Sequence, residues 1–67
     1  MIIATFHKPY KRLAIHSMFD RFNMRQSYYL EAVSGGVSDN ANWPERFNTF
    51  REARSYVLAH GWIEDPE

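Results

Sequence analysis

A chain of 67 residues without one cysteine has neither a disulfide nor a thiolate-held zinc to staple it, so side-chain burial alone must hold its fold. Chains of this length bury only about 60% of the surface they expose when unfolded. Every apolar residue therefore matters, and the sequence is 45% hydrophobic and 16% aromatic. With eight cations against eight carboxylates, that composition argues against a disordered chain and fits one compact domain over residues 1–67. The longest apolar runs, such as residues 1–4, fall far short of the roughly 18 residues that span a bilayer. Met1-Ile2-Ile3 supplies neither the basic stretch nor the small-residue cleavage site of a secretory leader, which argues for a cytoplasmic protein with no membrane partner.

The most legible element is a helix over residues 50–60. Thr49 and Glu52 have capping-box spacing, in which the Thr hydroxyl takes the Glu amide. Phe50, Ala53 and Val57 then recur at helical intervals, with Tyr56 and His60 flanking the stripe and Arg51, Arg54 and Ser55 on the other faces. Gly61 stops the helix as a residue free to adopt positive φ. His60 suits the helix C-terminus as a donor to unpaired carbonyls. Trp62 and Ile63 are expected to fold back on the body, leaving residues 64–67 as a solvated tail.

The first half reads as strand. In residues 1–7, Ile3 and Thr5 alternate with Ile2, Ala4 and Phe6. Lys8-Pro9-Tyr10-Lys11 is a turn, because Pro9 has no N–H for a ladder. Residues 26–33 are rich in β-formers and end at Ser34-Gly35-Gly36. Residues 39–42 read as an irregular loop before Trp43-Pro44.

Residues 12–22 fit two patterns. As a strand they set Leu13, Ile15, Ser17 and Phe19 on one face, with residues 20–23 as the next turn; as a helix they align Leu13, Ser17 and Asp20, or Ile15, Phe19 and Phe22. The strand pattern gives an α+β fold: a small antiparallel three-stranded sheet with one C-terminal helix on one face, β-β-β-α. The helical pattern gives β-α-β-α. The expected core is Ile2, Phe6, Ile15, Phe19, Leu30, Phe47, Phe50, Val57 and Trp62. The uncovered sheet face and an edge are left for a partner.

Charge is unevenly distributed. Residues 1–25 hold five cations against Asp20 alone, a balance of +4; residues 26–67 hold three against seven carboxylates, a balance of −4. In the basic half Phe6, His7, Lys8, Tyr10, Lys11 and Arg12, then Arg21, Phe22, Arg25, Tyr28 and Tyr29, interleave cations with rings, as single-stranded nucleic-acid binders do. The plainer alternative is that Phe6, Phe19 and one of the two tyrosines are core and the cations a solvated rim.

Catalysis finds little support. His7, His16 and His60 form no metal-ligand spacing; His7 and His16 could meet across a hairpin, but no third ligand is nominated, so no metal or other cofactor is expected. Asp39, Asn40, Asn42 and Glu45 lack the central Gly and terminal Glu of a calcium loop, and Ser34-Gly35-Gly36 lacks the Lys-Ser/Thr of a phosphate loop. No nucleophile elbow or working carboxylate pair is present. A single sheet layer under one helix would lose its core if hollowed to the roughly 300–1,000 Å³ of a ligand pocket.

The aromatic surplus points instead to contact. Five Phe, four Tyr and two Trp exceed what one thin core shelters, and Tyr, Trp and Arg are the types that dominate binding hot spots. The segment Trp43-Pro44-Glu45-Arg46-Phe47-Asn48-Thr49-Phe50-Arg51-Glu52-Ala53-Arg54-Ser55-Tyr56, closing at His60-Gly61, resembles the strand-into-helix ending of short phage- and prophage-encoded α+β proteins. The resemblance covers about a third of the chain and assigns no functional residues. What it implies is a stand-alone accessory product that occludes a host machine or defence complex. The expectation is thus a non-enzymatic binding module that modulates or inhibits a protein or nucleoprotein partner, through Tyr10, Lys11, Arg12, Arg21, Arg25 and Tyr28. The alternative is a nucleic-acid-binding domain using the basic, aromatic N-terminal sheet; self-association as a homodimer is compatible with either.

Overall fold

The computed structural model describes residues 1–34 and 43–66, with Ser34 as backbone only. The elements run β1 (Ile2–Lys8), β2 (Lys11–Asp20), β3 (Arg25–Ser34), α1 (Phe50–Ala59) and β4 (Ile63–Glu64). All strand pairs are antiparallel, in the order β3-β2-β1-β4. The α+β class is as expected, with one helix among the described residues; the sheet has four strands there instead of three. Residues 12–22 take the strand alternative as β2 and the turn after it, which removes β-α-β-α. No helix among the described residues is long and apolar enough to cross a membrane.

The two hairpins have different turns. Pro9 and Tyr10 alone separate β1 from β2, and Tyr10 sits at φ 66°. Proline followed by a positive φ fits a type II turn, whose second central position normally takes glycine or asparagine. Between β2 and β3 the Asp20 carboxylate accepts the Phe22 amide at 2.9 Å, the Asn23 amide at 3.4 Å and Asn23 Nδ2 at 2.8 Å, and Met24 closes the turn at φ 52°.

One face of the sheet carries the core. Ala4, Phe6, Leu13, Ile15, Tyr28 and Leu30 share it and meet Ala53 and Val57 of α1, with Phe47, Phe50, Tyr56, Trp43 and Trp62 around them. Phe6, Leu13, Ile15, Ala53 and Val57 are fully enclosed. The helix begins as its spacing predicts: Thr49 is the cap and its hydroxyl accepts the Glu52 amide at 3.1 Å. It ends at Gly61, φ 86°, with His60 Nδ1 donating to the Tyr56 carbonyl at 2.8 Å.

Three expectations are corrected. Ile2 is 51% exposed, because Ile2 faces His16 while Ala4 faces Ile15. Two β1 steps thus answer one β2 step, and this bulge turns Ile2 to the outer face. Phe19 keeps the alternation expected of it but is also 51% exposed, since the hairpin runs on past the packed core residues. Residues 64 and 65 are not a free tail. Glu64 pairs with Phe6 in β4, and the Asp65 amide donates to the Thr5 carbonyl at 2.9 Å. Arg54 fixes that strand from the helix, donating from Nε and Nη2 to Glu64 Oε1 at 2.9 and 2.7 Å. Gly35, Gly36, Asp39, Asn40 and Asn42, considered above as loop or ligand residues, lie outside the described residues.

Candidate partner-binding surface

β2 is ten residues long, which sets the two hairpin turns roughly 30 Å apart along the strand. The six residues expected to form one contact surface are divided by that distance. Tyr10, Lys11 and Arg12 stand at the β1–β2 end, Arg21 and Arg25 at the β2–β3 end. Tyr28 is on the helix-facing side, ladder-bonded to Phe47 and 6.3 Å from the Phe50 ring, so it belongs to packing.

At the first end, His7, Lys8, Tyr10, Lys11 and Arg12 surround a depression of about 370 Å³. Two of its side chains already have work within the chain. Lys8 Nζ lies 4.9 Å over the Trp62 ring, and His7 Nδ1 is 2.5 Å from Asp65 Oδ1. That hydrogen bond, then one from the Thr5 hydroxyl at 2.9 Å, holds the Asp65 carboxyl below its ordinary range, and the charge of Arg12 adds to the effect. Tyr10 is 95% exposed on its left-handed residue.

Across the outer face of the sheet, His16 stacks on Tyr29 with centroids 4.9 Å apart, and His16 Nε2 lies 3.1 Å from Glu31. His7 and His16 do not meet. His7 pairs with Arg12 and His16 with Ile2, four β2 positions apart or roughly 13 Å. Among the described residues no three His, Asp or Glu side chains gather as metal ligands. Glu31 and Asp65 stand among the rings and cations of this face, so it is no continuous basic platform.

The second end is unlike an ordinary turn. Its Asp20 is turned inward: the carboxylate accepts from the Asn23 side-chain amide and then from the Phe22 backbone amide, bonds that hold its carboxyl below the usual range. Its apolar residues are turned outward. Phe22 is 97% exposed and Met24 74%, with Met18 and Phe19 about half exposed. Met18 and Phe19 point to opposite faces, so the hairpin is apolar on both sides and at its tip, between the exposed Arg21 and Arg25. Sequence reasoning named the two arginines but placed Phe19 in the core and left Phe22 and Met24 out of the site. The available signal was a turn, Asp20–Asn23, that carries a phenylalanine where polar residues are usual.

No protein-family model, curated protein or solved structure matches this chain.

Proposed function

We propose that the chain is a non-enzymatic binding module of the cytoplasm that modulates a macromolecular partner by surface contact, in the manner of a phage-type inhibitor, and that the β2–β3 hairpin is its inserting element. One observation carries this reading: Phe22 is almost wholly solvent-exposed on a turn whose amides are fixed by Asp20. An aromatic carried on a pre-ordered turn needs little backbone ordering when a partner buries it, and exposed rings of this kind anchor hot spots. Because Met18 and Phe19 extend the apolar surface to both faces, the fitting receptor is a cleft with carboxylates at its rim for Arg21 and Arg25, not a flat patch.

The test is affinity capture with the full chain and with Phe22→Asp. The reading expects a stoichiometric protein retained by the first and lost from the second. Capture that is indifferent to Phe22 overturns the assignment of the hairpin.

A second reading, nucleic-acid binding, draws on the clustering of His7, Lys8, Tyr10, Lys11 and Arg12 around one depression. It expects retention on DNA or RNA that falls steeply with salt and with Lys11→Glu or Arg12→Glu. A flat gel-shift titration at low salt removes it.

A further inference from the structure

We propose that one partner of the β2–β3 hairpin is a second copy of this chain, which receives Phe22 in the groove beside β1. This inference rests on the reading of that hairpin as the contact element. The groove, about 620 Å³, is lined by Ile2, Ile3, Ala4 and Phe50 and bordered by Glu64 and Asp65. It has the chemistry the hairpin lacks and needs: an apolar floor for Phe22 and Met24, and two carboxylates for Arg21 and Arg25. Arg54 Nε and Nη2 both donate to Glu64 Oε1, and among the described residues Oε2 is the oxygen turned to accept from an incoming guanidinium. Asp65 and Glu64 both titrate below their ordinary range, so both are charged at neutral pH.

The hairpin cannot serve its own groove. Ile2 faces His16, and β2 runs on from there to Asp20 before the turn begins, a further 13 Å or so along a paired strand. The receiving groove is therefore on another molecule. Hairpin and groove are different surfaces, so each contact joins unlike patches: repeated head-to-tail it leaves a free hairpin at one end of the assembly and a free groove at the other, and exchanged reciprocally between two copies it closes as a dimer. A hairpin tip buries less than a standard interface of about 1,600 Å², so assembly is weak and concentration-driven.

The experiment is sedimentation of the full chain up to about 1 mM, where a contact of this size is populated. Wild type is expected to gain mass with concentration, to a dimer or beyond. Phe22→Asp, without a hairpin anchor, and Ile3→Arg, with a cation set against Arg21 and Arg25, are each expected to remain monomeric with unchanged circular dichroism. Mixed in equal amounts they are expected to form a pair and stop there, since one supplies the groove and the other the hairpin. A monomeric wild type at the highest concentration overturns the proposal, as does self-association that survives Phe22→Asp, or a mixture that stays monomeric while wild type assembles. In the first case, Phe22-dependent capture of a foreign protein still upholds the hairpin as contact element.

Discussion

Asp65 Oδ1 stands 2.5 Å from His7 Nδ1, closing a contact between residues 58 positions apart. It belongs to a set of three carboxylates whose folded-state pKa lies below the ordinary value: Asp65 through His7 and Thr5, Glu64 through Arg54, and Asp20 through Asn23 and the Phe22 amide. A lowered folded pKa means stability that is complete above the unfolded carboxylate range and is lost as pH falls through the folded values. The melting temperature is expected to decline on the acid side of that range. Asp65→Asn should flatten this acid limb, and thermal melts from pH 7 to pH 2 check it.

Two phenylalanines predict opposite outcomes. Phe6 is fully enclosed, and Phe6→Ala should cost about 3–5 kcal/mol, comparable to all that a chain this short gains from its core. The variant is expected to be largely unfolded by circular dichroism. Phe22→Ser removes a ring that touches solvent, and its stability should change little, within about 0.5 kcal/mol by denaturant titration.

The helix cap provides a graded test. Thr49→Ala removes the acceptor of the Glu52 amide and should cost about 1 kcal/mol, roughly 4–8 °C in melting temperature for a domain of this size. Thr49→Asp keeps an acceptor at the same place and should retain most of that stability.

Left-handed residues give changes of opposite sign. Gly61 sits at φ 86°, and an added Cβ would meet only Lys8 Cε at 3.8 Å, so Gly61→Ala is penalised by the backbone alone, by about 1–2 kcal/mol. Tyr10 already bears that strain at φ 66°, and Tyr10→Asn should gain on the order of 1 kcal/mol. Denaturant titration measures both. If Tyr10 also touches a partner, the more stable variant is the poorer binder.

The helix was legible because its signals are local: a cap at Thr49, a stripe at Phe50, Ala53 and Val57, and a stop at Gly61 all lie within one stretch of chain. Strand β1 was legible as a strand, but alternation cannot reveal a bulge, and the single extra residue near Ile3 reverses Ile2. Phe19 failed differently. Its face was right, and what the sequence did not reveal is how far the packed core extends along β2. Strand β4 went unseen because two residues have no period; its position rests on Arg54–Glu64 and His7–Asp65, contacts between distant segments. The candidate site shows the same limit. The arginines stood out by charge, but Phe22 gains meaning only once Asp20 is known to be spent on the turn.

A strand of two residues is a slender lock on the edge it covers. β4 pairs with Phe6 and His7 only, while residues 2–5 of β1 are uncharged and three of them are apolar, the composition that stacks readily into cross-β fibrils. The bulge near Ile3 bends this stretch away from a straight template. The protonations that loosen Asp65 and Glu64 in acid therefore do more than lower a melting point: they free the β1 edge next to the segment best suited to fibril growth.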